Sequence, residues 1–267
     1  MKNYIDLVDK IICTGERRQD RTGVGTLSIF GGSIEWDLRD RFPLVTAKET
    51  RWRTAFLEML WFLRGESAID WLNKNGSKLW DAWADDRGRL GPIYGVQWRG
   101  WPDSEGNYID QVAVMINGIV SNPTGRRHIV SAWNVTDLDD MALPPCHAWH
   151  QCYAGGDEWL DMQVYQRSWD VALGAPFNIA QYALLLHLYA RATGRKARRL
   201  VFAYGDAHLY LNHVDTMKRV VAAGPVWGDS SQLVIKTDNT DIDGYKIDDF
   251  DIVGYHPREF VKLEVAV

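Results

Sequence analysis

From Phe177 to Thr193 the chain runs with almost no polar face, through Ile179-Ala180-Gln181-Tyr182-Ala183-Leu184-Leu185-Leu186, until Gly194 closes it. A helix that is apolar nearly all round is buried on most of its sides, and a glycine just past the end is a common stop. The rest of the chain must supply the layers that cover it. No apolar run reaches the roughly 18 residues needed to cross a bilayer, so no membrane partner is expected. At 267 residues, with 46% hydrophobic and 24% charged content, the chain can bury a large core. No Pro/Gly/Ser-rich linker or charge block divides it, which predicts a single domain. The first ten residues lack a signal-peptide apolar core, which predicts a cytoplasmic protein.

Around that helix the periodicities change repeatedly. Helical spacing of Tyr4, Leu7, Val8, Ile11 and Ile12 predicts a helix over 2–14, and a second is expected over 50–64. Alternation from Thr26 to Leu38 around Gly31-Gly32 predicts two strands joined at a tight turn or bulge. Residues 75–107, with Trp80, Trp83, Trp98 and Trp101 among Asp, Gly and Arg, read as a long irregular and functional stretch. A helical face from Ile109 to Val120 stops at Asn122-Pro123. Strands follow over 127–135, 147–154 and 158–167, the last two a hairpin through Gly155-Gly156-Asp157. Strands near 199–205, 231–237 and 246–255 and a helix over 211–222 complete the chain. Runs of strands and helices without strict alternation give α+β.

Two compact polar motifs carry chemistry. Cys146 stands in Leu143-Pro144-Pro145-Cys146-His147, and nineteen residues later comes Tyr165-Gln166-Arg167-Ser168. Consecutive prolines fix two φ angles and remove two donors, so the thiol is presented in a defined approach. A nearby guanidinium would favour the thiolate, which is the nucleophile. A Cys-His hydrolase is a weak fit, because adjacent side chains on an extended strand point to opposite faces. The three cysteines, Cys13, Cys146 and Cys152, show no metal-ligand spacing, so no metal is expected.

Other polar residues have two readings each. Glu58, inside Phe56-Leu57-Glu58-Met59-Leu60, is either a buried carboxyl suited to proton transfer or a solvent-facing residue. Asn178 opens the apolar helix, either as a cap or as an amide that reads a cyclic imide. Arg21, Arg126, Arg127 and Arg167 are either solvated or converge on a phosphate. His208 and Tyr210 alternate, so both tips share a face if the segment is extended, and suit a ribose hydroxyl. The formal charge of −5 offers no broad nucleic-acid footprint.

Taken in order, these motifs resemble the folate-dependent, cysteine-using thymidylate synthase family. The likeness runs through Asp20-Arg21-Thr22-Gly23, Phe42-Pro43-Leu44-Val45-Thr46, Leu90-Gly91-Pro92-Ile93-Tyr94-Gly95, the Cys146 and Arg167 motifs, Pro176-Phe177-Asn178-Ile179 and Gly205-Asp206-Ala207-His208-Leu209-Tyr210, covering nearly the whole chain. The resemblance implies one catalytic domain over 1–267, with a mixed sheet packed against helices and one sheet face forming a homodimer interface. It makes Cys146 the nucleophile toward C6 of dUMP, with Asn178 on the pyrimidine edge. Arg21, Arg167 and Ser168 are implied phosphate ligands, joined by Arg126 and Arg127 of the other subunit, while His208 and Tyr210 hold the 3′-hydroxyl. Glu58, Tyr94 and His147 are implied to order water and move protons. Trp80, Trp83, Asp170, Gly174, Phe177 and Lys48 match the site for 5,10-methylenetetrahydrofolate, the co-substrate.

Departures from the family pattern bear on the product. Trp149, His150 and Cys152 stand where other aromatics are usual; Trp169, Ala172 and Ala175 replace other side chains before Pro176; Gln181 replaces a small Ser; and Glu49 and Arg51 alter the rim near Lys48. Lost volume at 172 and 175 either admits water or is filled by Trp169. The first outcome implies a deoxyuridylate hydroxymethylase, the second a thymidylate synthase. Asn178 favours uracil over cytosine, and Trp80 with the terminal Val265-Ala266-Val267, expected to close over the ligands, favours hydride transfer. A non-catalytic nucleotide- or RNA-binding relative is the third reading, opposed by the intact Cys146, Arg167 and Asn178.

Overall fold

The apolar helix extends from Gly174 to Ala192, and eight consecutive residues, Ile179 to Leu186, are buried. It begins three residues earlier than the pattern predicts, because Pro176 falls within the first turn, where a missing N–H costs nothing. The computed structural model describes residues 1–265; Ala266 and Val267, part of the expected closing segment, lie outside the described residues. In chain order these residues form α1 (Lys2–Thr14), β1 (Glu16–Arg18), β2 (Thr26–Asp37), α2 (Trp52–Leu63), α3 (Asp70–Lys74), α4 (Gly95–Arg99), β3 (Trp101–Pro102), β4 (Tyr108–Ile109), α5 (Gln111–Ser121), β5 (Ile129–Ser131), β6 (His147–Gly155), β7 (Trp159–Asp170), α6 (Gly174–Ala192), β8 (Lys196–Tyr210), α7 (Val214–Ala223), β9 (Gln232–Ile235) and β10 (Phe250–Val253).

Six strands form one sheet in the order β1-β2-β8-β7-β6-β5. Only β7 and β8 pair in parallel, so the sheet is mixed and the fold is α+β as expected. A parallel pair cannot be joined by a hairpin; it needs a crossover, and α6 is that connection. The helix therefore lies on β7 and β8, α2 packs over it, and α1 covers the neighbouring part of the sheet against β2 and β8. The central helix is thus closed from both sides. Among the described residues no helix is long and apolar enough to cross a membrane.

Several boundaries differ from the sequence pattern. Residues 26–37 are one strand in unbroken register with β8, rather than two; Gly31 and Gly32, at φ 78° and 156°, kink it without inserting a residue. The expected strand over 127–135 contracts to Ile129–Ser131, and that over 199–205 extends to Lys196–Tyr210, paired on both edges. The stretch 75–107 contains α4, and the helix expected from 211 begins at Val214 after a 3-10 turn. Away from the helices the sheet carries aromatics. Trp149 and Tyr165, cross-strand partners, stack at 5.8 Å, while Phe30 and Tyr153 are exposed.

Leu185→Ala should lower the unfolding free energy by about 2–5 kcal/mol, whereas Val114→Ala on the exposed side of α5 should stay within about 0.5 kcal/mol. Denaturant midpoints measure both; comparable losses would contradict α6 as the buried centre.

Candidate active site

Cys146 ends the loop before β6, and each preceding peptide is held. Arg167 on β7 donates from Nε to the Pro145 carbonyl at 2.8 Å and from Nη2 to the Pro144 carbonyl at 2.7 Å. Its guanidinium lies 5.1 Å from the Trp133 ring. The prolines fix the chain's direction, and the arginine fixes where their carbonyls stop. From the other side, the Cys146 N–H donates to Tyr94 Oη at 2.8 Å.

Tyr94 is held under strain. It is the only non-glycine residue with positive φ, 29°, among the described residues, and it precedes α4. Gly95 follows because a Cβ there would lie 2.2 Å from the Phe62 carbonyl oxygen of α2. Such a backbone costs of order 1–3 kcal/mol and persists only where packing dictates it. Here Tyr94 stacks on His147 at 4.1 Å and packs on Phe62 at 4.8 Å.

The thiol departs from expectation. Burial raises the Cys146 pKa above its usual value, and only in part do Arg167, the Tyr94 contact and Arg21 lower it. The guanidinium is near, as the sequence implies, but dehydration outweighs it, so the resting group is a thiol.

His147 lies on β6 where a register irregularity separates it from Trp149. That irregularity turns its ring inward, with Nδ1 2.7 Å from Tyr182 Oη on α6, while Trp149 goes to Tyr165. Burial lowers its pKa to about 3, so the imidazole is neutral. It is not a base for Cys146 and pairs with a phenol instead.

Of the two readings for Glu58, the structure gives the buried carboxyl. Oε1 accepts from Trp80 Nε1 at 2.6 Å, and Oε2 accepts from Gln181 Nε2 at 2.5 Å. Burial raises its pKa from the usual 4.5 to about 7, opposed by those two donors. A carboxyl poised near neutrality suits proton transfer in either direction. Gln181 continues to Asn178, whose Nδ2 donates to Gln181 Oε1 at 3.2 Å, and Trp169 Nε1 donates to Asn178 Oδ1 at 3.1 Å. Asn178 is therefore not a cap; half-buried, it ends a hydrogen-bonded chain that runs inward through Gln181 to Glu58.

At the C-terminal end of β7, Asp170 Oδ1 accepts from the Ala172 and Leu173 N–H groups. Its charge reaches Cys146, Tyr210 and Lys48. Lys48 is buried, and dehydration lowers its pKa to about 8. Gly174 lies beside Asn178, and Phe177 packs against the core. Trp83 sits 5.7 Å from Trp80, its buried indole N–H without a partner. His208 and Tyr210 do share a face of β8, their rings 5.4 Å apart. Ser168 and Asp170 pair in register with Asp206 and His208.

Arg21 is exposed in the turn before β2, yet near enough to influence Cys146 and Tyr210. Arg126 and Arg127 are exposed and enter none of these contacts within the chain. Sequence reasoning gave no role to Asp206, which accepts from Ser28 and Arg18 and meets His208 Nδ1 at 2.9 Å. The available signal was an acid two residues before His208, hence on the same strand face. Tyr182 was likewise missed, although it follows Asn178 by one helical turn. No group of three or more His, Cys, Asp or Glu capable of holding a metal occurs among the described residues.

The family model described as Thymidylate synthase matches residues 2–267, essentially the whole chain.

The buried acid and histidines pull stability in opposite directions with pH. Glu58 keeps its proton in the fold, so its contribution is complete below about 4.5 and is lost as pH rises through about 7. His147 and His150, lowered to about 3, and His187, lowered to about 4, stay neutral in the fold, so stability falls as pH drops below 6.5. Comparison of wild type with Glu58→Gln isolates the acid. Between pH 4.5 and 7 the wild type should lose on the order of 3 kcal/mol relative to the variant; a constant difference in denaturant titrations would contradict the raised pKa.

Proposed function

Because the chain belongs to the thymidylate synthase family, we propose that it converts dUMP and 5,10-methylenetetrahydrofolate to dTMP and dihydrofolate through a covalent bond between Cys146 and C6 of uracil. The family is of the methyltransferase type, binds dUMP and folate, and uses methylenetetrahydrofolate as co-substrate. The observation that carries the reading is the linkage of Cys146 to Tyr94 on one side and of Glu58 through Gln181 to Asn178 on the other.

In this reading Arg21, Arg167 and Ser168 bind the phosphate, and His208, steadied by Asp206, holds the 3′-hydroxyl with Tyr210. Asn178 meets the N3–H and O4 edge of uracil. The Cys146 thiol gives its proton to solvent and its sulfur adds to C6, which makes C5 nucleophilic; sulfur also leaves readily when the bond reverses. Tyr94, tied to the Cys146 N–H, keeps that sulfur in line, and neutral His147 fixes Tyr94 by stacking. Glu58, with a pKa about 7, exchanges protons with the pyrimidine edge through ordered water. The co-substrate supplies the one-carbon unit and the hydride. Its implied residues fit it: Trp83 offers an unpartnered indole N–H, Trp80 a ring edge-on to Trp83, and Lys48 a buried cation for an anionic group.

Hydride transfer is favoured over water addition by the packing at the end of β7. Trp169 is buried and stacks on Phe202 at 5.1 Å, and Ala172 and Ala175 are fully buried. The small residues therefore line packed core and not a water-filled opening. A homodimer is supported by the exposed and stacked aromatics Phe30, Tyr153, Trp149 and Tyr165 on the open sheet face. It would also bring Arg126 and Arg127 to the phosphate of the opposite subunit.

Incubation with dUMP and methylenetetrahydrofolate should yield dTMP by mass, with dihydrofolate in equal amount, and Cys146→Ser should yield none. Hydroxymethyl-dUMP would instead identify a hydroxymethylase, and no product would favour a binding relative. For the shared site, Cys146→Ser and Arg126→Ala chains, each inactive alone, should regain activity when unfolded and refolded together. Failure to regain any would place Arg126 outside the opposite site.

A further inference from the structure

We infer that Trp169 and Gln181 lock the Asn178 amide in a single orientation, and that this lock, rather than Asn178 alone, sets the preference for uracil over cytosine. The inference rests on the reading of Asn178 as the residue that meets the pyrimidine edge. Its basis is the polarity of one hydrogen-bonded chain. At one end stands the Trp169 indole, which can only donate, so it requires Asn178 Oδ1. At the other stands the Glu58 carboxylate, which when ionised can only accept, so it requires Gln181 Nε2. Gln181 Oε1 then faces Asn178 and requires Nδ2. The Trp169 indole fixes the Asn178 orientation at any pH, and the Glu58 end adds the same demand when its carboxyl is ionised.

The lock leaves Asn178 one N–H and one oxygen lone pair. Uracil presents an N–H at N3 and a carbonyl at position 4, which match these. Cytosine presents the reverse, a lone pair at N3 and an amine at position 4. To meet cytosine the amide must flip, which sets Nδ2 against the indole N–H. Oδ1 would then face Gln181 Oε1, or Gln181 would flip as well and set its oxygen against Glu58 Oε2. Each of these leaves buried polar groups unpaired, and Gln181 is fully buried. A serine at 181 could not span from Glu58 to Asn178, and a side chain without N–H at 169 would leave Oδ1 free to turn.

Trp169→Phe keeps a ring against Phe202 while it removes the donor and some volume; Gln181→Met keeps the length and removes both amide contacts. Calorimetry of dUMP and dCMP binding to wild type and to each variant gives the ratio of the two affinities. Wild type should prefer dUMP, and each variant should lose roughly tenfold or more of that preference, mainly by gaining dCMP. The double variant should lose less than the product of the two, because both act on one chain. A purely packing role would weaken both nucleotides alike and leave the ratio intact, and that result overturns the inference while the uracil reading stands. A wild type without preference would instead remove the uracil reading, and this inference with it. If one variant does not fold, the other decides.

Discussion

Each polar group that a sealed helix carries into the core has to be met there, since an unpaired buried donor or acceptor costs more than a made bond returns. Helix α6 carries Asn178, Gln181, Tyr182 and Tyr189 inward, and three parts of the fold meet them. Trp169 comes from β7, Glu58 from α2, and His147 and His150 from β6, the last with Nε2 3.2 Å from Tyr189 Oη. One requirement therefore ties the sheet, the central helix and the covering helix together. The same contacts assemble the candidate site. Stability and site geometry are not separate problems here, because the groups that satisfy α6 are those placed around Cys146.

The thiol is positioned by rigidity on every side. Two prolines limit the approach of the chain, Arg167 receives their carbonyls, and a strained Tyr94 receives the next N–H. Strain at Tyr94 is stable only because Gly95 lets α4 press against the Phe62 carbonyl and because His147 and Phe62 grip the ring. Backbone strain of this kind gathers where geometry has a task. Arg167 is thereby committed twice, to the loop that bears the thiol and, through its remaining donors, to any anion bound beside it. Its own field does not overcome burial at the sulfur, so positioning is its larger contribution in the resting chain.

What could be read from the residues follows from how local each signal is. Burial of α6 was legible, because apolar periodicity reports a helix's surroundings directly, whereas the pattern left Glu58 open between core and solvent. The shared face of His208 and Tyr210 was legible from alternation alone. His147 was not, because a register irregularity beside it, invisible in composition, reverses the face a regular strand would give. The single kinked strand at Gly31-Gly32 was mistaken for two because a glycine pair signals a turn and a kink alike. The thiolate was overestimated, since a nearby guanidinium can be inferred from motifs but the dehydration opposing it cannot. Arg126 and Arg127 are exposed within the chain, and no local pattern in the sequence distinguishes a solvated arginine from one that meets a ligand.

Of the residues that depart from the family pattern, Trp169 and Gln181 meet in space through Asn178, and Ala172 and Ala175 lie in the buried core. Trp169 brings a large ring and an indole N–H, Gln181 brings an amide, and Ala172 and Ala175 are small. Trp169 stacks on Phe202 and reaches Asn178, while the two alanines lie fully buried in the same core. The Trp169 N–H needs an acceptor, which Asn178 provides, and the Asn178 N–H then needs an acceptor of its own, which a side chain of glutamine's reach provides. Glutamine's remaining donors end on Glu58. Each change thus creates the demand that the next one meets, and the sequence of demands stops only at a carboxylate able to accept without donating.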